Sequence, residues 1–201
     1  MQKEGLIQFL EKLAPKNLAE DWDNVGLLLG KREGEVRRVY LCLDVDSFAV
    51  KKAIEEGCDF ILSHHPFIFK GIKAVTGEDL QGKKIITLIE NGISVFSMHT
   101  NFDSVKRGMA DLVAETLEWK KEGVIEAVPS TTDGEEQGIG FYTHLDKALS
   151  CADLARYVKE KCALPYIEYF DSGRKIRKIA VCPGSGKSFL PSLPSDVDAY
   201  I

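Results

Sequence analysis

The stretch VYLCLDVDSFAVKKAIEEGCDFILSHH, residues 39–65, reads as strand, helix and strand in succession. Val39 to Leu43 is a short apolar run of strand length, and Asp46 or Ser47 can cap the helix that follows. In that helix Val50, Ala53 and Ile54 share one face, and Gly57 ends it. Phe60-Ile61-Leu62 then makes a second buried strand. Two apolar strands joined through a helix imply a right-handed crossover and parallel pairing, which requires cover on both faces of the sheet.

The same rhythm continues downstream. Residues 83–90 read as a helix closed by Asn91-Gly92, Ile93 to Met98 as a third strand, and Val105, Met109, Leu112, Val113 and Thr116 as the inner face of a long helix. Upstream, Leu6, Phe9, Leu10 and Leu13 recur at helical spacing before Pro15, predicting an amphipathic helix with these residues inward. The loop Asp21-Trp22-Asp23-Asn24 follows it. Residues 1–128 therefore read as a first α/β lobe with a mostly parallel sheet flanked by helices. The segment PSTTDGEEQG, 129–138, has almost nothing to bury and reads as a polar linker. Residues 139–201 read as a second α/β lobe, with a capping box at Ser150 and Asp153, a helix burying Leu154, Tyr157 and Val158, and strands near Tyr166 to Phe170 and Ile176 to Val181. Val197 to Ile201 begins a further strand that nothing follows, so this lobe is expected to be incomplete at its C-terminus.

Composition narrows the function classes. At 201 residues with 44% hydrophobic side chains, the chain can build a core and is not disordered. With 31 acidic against 26 basic residues the net charge is -5, which argues against a nucleic-acid partner. The five cysteines are odd in number and contain no CxxC pair, which excludes a disulfide framework and a thiolate zinc site and fits a reducing cytoplasm. The first residues do not resemble a secretory signal, and no apolar run approaches the ~20 residues of a membrane span.

Three of the four histidines fall at the ends of expected parallel strands, in Ser63-His64-His65-Pro66 and His99-Thr100-Asn101-Phe102-Asp103. Ligands of open α/β sheets sit at the carboxyl ends of strands, so the two segments can converge on one cleft. Imidazoles with a carboxylate suit zinc, iron, manganese or nickel. Extended backbone turns successive side chains to opposite sides, and Pro66 favours that state at His65. His64 and His65 can then each hold a different ion with Asp103 bridging them, at a separation of about 3.5 to 4 Å. The plainer alternatives are a solvated His-His loop and an Asp103 that caps the helix after it.

His144 has no visible partner and reads as a surface or hydrogen-bonded histidine. Trp22 and Asn24 can line a pocket, although a tryptophan is more often a hydrophobic anchor. The run Cys182-Pro183-Gly184-Ser185-Gly186-Lys187-Ser188 ends like a phosphate loop, but Val181 stands where its first glycine belongs and Pro183 removes a backbone donor. It reads as a strand-to-helix turn.

Taken together, DWDNVGLLLG at 21–30, the segment from Leu41 to Gly57, ILSHHPFIFKGIK at 61–73 and GISVFSMHTNFDSVKRGMADLVAETL at 92–117 resemble the NGG-interacting-factor-like family, also called GTP cyclohydrolase I type 2 homologues. GIGFYTHL, the Cys182 turn and the closing DVDAYI extend the resemblance over essentially the whole chain. It implies a two-lobed α/β protein assembled as a toroidal homohexamer, with a dinuclear metal centre facing an internal cavity. By the same resemblance His64, His65 and Asp103 are metal ligands, His99 stands beside the metals as the catalytic candidate, and Asp44 orients a ligand. Family members continue past DAYI to a further histidine and glutamate that complete the site, and longer ones insert a middle domain that this chain lacks.

The expected function is that of a metal-dependent hydrolase. Two divalent ions activate a bridging water against a small-molecule substrate that the sequence does not identify, and His99 shuttles the proton. The rival is a non-enzymatic metal-binding, ligand-sensing or protein-interaction assembly. A nucleotide binder built on Lys187 is a third reading.

Overall fold

Residues 1–128 and 136–201 are described by the computed structural model, in which the chain forms two compact units, Met1–Phe102 and Asp103–Ile201. The expected linker 129–138 does not mark this division: residues 129–135 lie outside the described residues, and 137–138 belong to a strand. The reason lies in packing. Ala110, Ala114 and Leu117 share a core with Phe141, Leu154 and Ile179, which draws residues 103–128 into the second unit.

The first unit runs α1 (Lys3–Leu13), β1 (Gly26–Leu29), β2 (Val39–Cys42), α2 (Ser47–Glu55), β3 (Phe60–Ser63), α3 (Leu80–Glu90) and β4 (Ser94–Ser97). Its sheet has the order β1-β4-β3-β2. β2, β3 and β4 are parallel, with Cys42 opposite Ser63 and Ser63 opposite Ser97. The fourth strand, β1, pairs antiparallel with β4 and was not anticipated, since Gly26-Leu27-Leu28-Leu29 is short and begins at a glycine with φ of 104°. Val50 and Ala53 of α2 and Ile85 and Leu88 of α3 pack with Ile61 and Val95 on one face of the sheet. Strand alternation turns Phe60 and Phe96 to the other face, stacked with centroids 6.5 Å apart.

Caps set the helix starts. Asp46 accepts a hydrogen bond from the Ala49 N–H, as expected, and Asp79 accepts one from the Gly82 N–H, which starts α3 at Leu80 rather than at residue 83. In α1 the inward stripe is Lys3, Ile7 and Leu10, whereas Phe9 and Leu13, expected inside, are exposed.

The second unit contains α5 (Met109–Thr116), β5 (Glu126–Val128), β6 (Gln137–Ile139), β7 (Phe141–Leu149), α6 (Cys151–Lys161), β8 (Ile176–Val181) and β9 (Ala199–Tyr200). The short helix α4 (Thr100–Ser104) spans the division. β5 pairs antiparallel with β6, and a second sheet has the order β7-β8-β9, with β7 antiparallel and β9 parallel to β8. Ser150 caps α6 as its sequence indicated, accepting from the Asp153 N–H, and Leu154 and Val158 are buried. Two expectations fail. The long helix from Val105 is interrupted before α5, with Arg107 at φ 63°, and α5 buries Ala110 and Ala114 while Leu112 is exposed. Tyr166 to Phe170 is not a strand: Tyr166, Tyr169 and Phe170 are exposed, and their β propensity finds no ladder partner among the described residues.

Candidate metal centre

Parallel pairing in register ends β3 and β4 at the same edge of the first sheet, so the residues that follow each strand leave side by side. The backbone is fixed there before any side chain is considered. The His64 N–H donates to the Cys42 carbonyl at 3.2 Å, His65 N–H to Leu43 at 2.9 Å, and Met98 N–H to Ser63 at 3.0 Å. Beneath them the buried Ser63 and Ser97 hydroxyls are hydrogen-bonded at 2.8 Å.

On this platform His64, His65 and His99 converge. Their ring centroids are 5.2 Å apart for His64–His65, 5.2 Å for His64–His99 and 5.7 Å for His65–His99. One ring nitrogen from each lies within 4.8 Å of the other two, a spacing that can hold a metal ion. The Nδ1 atom of each ring is committed to an oxygen: His64 to the Met98 carbonyl at 2.9 Å, His65 to Asp44 Oδ1 at 2.8 Å, and His99 to Asp23 Oδ1 at 3.0 Å. A carbonyl or an ionised carboxylate only accepts, so each Nδ1 carries the proton and each neutral ring keeps its lone pair on Nε2. This is the tautomer that metal-ligating histidines adopt when an oxygen orients them from behind, and the donor set fits a divalent ion.

The electrostatics agree. Burial, together with the neighbouring His99 and His65 rings, holds the His64 pKa below its ordinary value, which favours the neutral, ligating form. The Asp23 carboxylate has no solvent exposure. Burial pushes its pKa up, but hydrogen bonds from His99 and Thr100 outweigh this and the net shift is downward. It accepts from His99 Nδ1, from the Thr100 N–H at 3.0 Å and from the Thr100 hydroxyl at 2.5 Å.

Asp23 was missed in the sequence. The available signal was the second aspartate of Asp21-Trp22-Asp23-Asn24, but its partner lies 76 residues away. Of the residues that were singled out, Asn24 donates from Nδ2 to the Ile68 carbonyl at 2.5 Å, and Trp22 packs edge-on against His99 and Phe69. Asp44 lies where the resemblance put it, behind a candidate ligand. His99, expected beside the metals, is a full member of the donor group. Asp103 lies in α4 and belongs to the second unit.

His144 is an exposed histidine paired with Glu122 at 2.5 Å. In the glycine-rich turn, a Cβ on Gly186 would stand 2.1 Å from the Tyr200 hydroxyl, which donates to the Gly186 carbonyl at 2.6 Å. Packing, not a phosphate cradle, accounts for that glycine.

The chain is similar to known proteins over most of its length. The GTP cyclohydrolase 1 type 2 homolog of Clostridium perfringens is 37% identical over 190 residues, covering 94% of this chain and 71% of that protein. NGG1-interacting factor 3 of Saccharomyces cerevisiae is 29% identical over 220 residues, 99% of this chain and 76% of its own. Among solved structures, a Staphylococcus aureus hypothetical protein superposes with a TM-score of 0.85 at 28% identity, covering all of this chain and 78% of that one. A Bacillus cereus protein related to NIF3 reaches 0.87 at 22% identity, covering all of this chain and 81% of that one, a likeness of fold. The sequence model of Duf34/NIF3 (NGG1p interacting factor 3) matches residues 1–201. On the match over residues 1–201 and the 37% identity to the Clostridium perfringens relative, the chain belongs to the Duf34/NIF3 family.

Proposed function

We propose that the protein is a metal-dependent hydrolase of a small molecule, with a dinuclear centre built on His64, His65 and Asp103 and with His99 in proton transfer. The observation that carries this reading is the convergence of the three histidine rings at a spacing that can hold a metal ion, each with its Nδ1 tied to an oxygen. Two divalent ions, when bound, lower the pKa of water toward neutrality and polarise the substrate. The chain's own contribution is orientation and proton handling. Asp44 and Asp23 fix the rings of His65 and His99, and the buried Asp23 carboxylate stabilises the imidazolium that forms when His99 accepts a proton at Nε2.

The name of the bacterial relatives makes GTP a first substrate to try. The closed turn around Gly186 offers a triphosphate no cradle, so the reading does not depend on GTP. The proposed setting is a cytoplasmic homohexamer. Support for a reducing compartment comes from Cys42, Cys58, Cys151, Cys162 and Cys182, all free thiols. Among the described residues no helix is long and apolar enough to cross a membrane. A second reading, a metal-binding interaction assembly, draws on the exposed apolar side chains Leu41 and Leu43, on and just after β2, and Phe48 in α2.

Elemental analysis of the purified chain tests the centre. Bound divalent metal is expected, with loss in His64→Ala and Asp103→Ala. Full metal content in Asp103→Ala would remove Asp103 from the ligand set. His99→Ala separates roles: metal kept with activity lost supports proton transfer, whereas metal lost makes His99 a ligand.

A further inference from the structure

Two large aromatic side chains flank the histidine cluster and stay open to solvent. Trp22 is 58% exposed and Phe69 48%. The Trp22 ring lies 5.8 Å from Phe69 and 6.0 Å from His99, at interplanar angles of 63° and 73°. It is therefore one corner of an aromatic wall that ends on a candidate metal ligand.

The exposure is imposed by the neighbours in sequence. Trp22 adjoins Asp23, whose carboxylate is buried and hydrogen-bonded to His99 and Thr100. Phe69 adjoins Ile68, whose carbonyl accepts from Asn24 Nδ2 at 2.5 Å and so links the two loops directly. One residue further, the Phe67 ring is buried and its carbonyl accepts from Gln81 Nε2 at 2.7 Å. Trp22 is anchored through Asp23 and Asn24 and Phe69 through Ile68 and Phe67, so the backbone that carries the two rings is set before a ligand arrives. The contacts within the wall are edge-to-face, which fixes the rings by their quadrupoles without stacking one broad face on another.

We propose that Trp22 and Phe69 form the ring-binding part of the substrate site, so that the substrate class is a planar unsaturated ring, aromatic or heterocyclic. Stacking on an aromatic side chain favours a planar π-face, which meets the ring over its whole area, over a saturated sugar ring, which meets it only through its C–H edges. This rests on the hydrolase reading for its meaning, but its test needs no metal and no turnover.

The chain has two tryptophans, Trp22 and Trp119, so Trp119→Phe leaves Trp22 as the sole indole reporter. Adenosine, uridine and nicotinamide serve as planar probes and glucose as the saturated one, each titrated with and without added zinc while Trp22 fluorescence is read. Saturable quenching by the planar probes and none by glucose is expected. By calorimetry the affinity of the best probe should fall about 10-fold in Trp22→Leu and in Phe69→Ala and recover within about 3-fold in Trp22→Phe. Non-saturable quenching equal to that of a free indole, equal binding of glucose, or unchanged affinity in both Trp22→Leu and Phe69→Ala would overturn the proposal. A Trp22→Leu variant that changes sedimentation instead would also overturn it, by making the wall a contact between chains. Metal content separates the two failures, since Trp22→Leu should keep its metal while absence of metal from the parent chain counts against the hydrolase reading alone.

Discussion

Asp23 shows how much of the site depends on one side chain far in sequence from its partners. Its carboxylate holds the His99 tautomer and satisfies both the N–H and the hydroxyl of Thr100. Asp23→Asn keeps the size but loses the charge and presents donors where donors already point. Metal affinity, read by competition with a chelator, should fall about 10- to 100-fold if His99 holds an ion and stay unchanged if His99 only transfers protons. Stability should fall by about 1–3 kcal/mol in a denaturant titration, the cost of leaving buried donors poorly matched. Unchanged affinity would place His99 off the metal, as its proton-transfer role requires, and the loss of Asp23 would then be read in the activity and its pH profile. The histidines were legible because strand-end His-His and His-Thr-Asn-Phe-Asp are local patterns. Asp23 was not, because only the folded sheet brings residue 23 to residue 99.

The break between α4 and α5 is a second arrangement that local periodicity concealed. Apolar residues at 105, 109, 112 and 113 suggest one helix, but Arg107 takes a left-handed backbone at φ 63° and its N–H donates to Asp111 at 2.5 Å. Lys121 reaches the other oxygen of Asp111, also at 2.5 Å. Burial raises the Asp111 pKa, yet the bonds from Lys121 and Arg107 outweigh it, so its folded-state value is below the ordinary 3.8. The folded form therefore gains stability above the unfolded carboxyl pKa and loses it as pH falls through the folded value. Asp111→Asn should lower stability by about 1–2 kcal/mol at neutral pH and flatten the loss that sets in as pH falls below the ordinary carboxyl value of 3.8, measured as urea unfolding across pH. Arg107→Gly should raise the stability by up to about 1 kcal/mol, because glycine adopts positive φ without a Cβ clash. A destabilised Arg107→Gly would mean that the arginine side chain contributes more than its backbone costs.

Across both units, elements with strong caps and runs of apolar residues were readable. β2, β3, β4, α2 and α6 lie close to where the pattern put them, down to the caps at Asp46 and Ser150. β1 was not readable, because its pairing with β4 is set by tertiary contact. Nor was the division after Phe102, because polarity marks a surface segment while packing decides which core a helix joins. The net charge of -5 carries its own expectation: a labelled DNA or RNA duplex should show no mobility shift with this protein at physiological salt, and a shift there would contradict the charge reading.

The placement of the histidines at the ends of adjacent parallel strands also has a mechanical meaning. His64 and His65 follow β3 and His99 follows β4, and about 35 residues of crossover, including α3, run between them. An ion held by all three rings, the alternative that His99→Ala tests, would close that crossover as a covalent bridge does, tying two strands that the unfolded chain leaves independent. At a free metal concentration 1,000 times Kd the linkage adds about 4 kcal/mol to the folded state. A chelator should then lower the melting temperature of the protein as well as strip its metal, with the bridge between β3 and β4 giving way before the sheet they share.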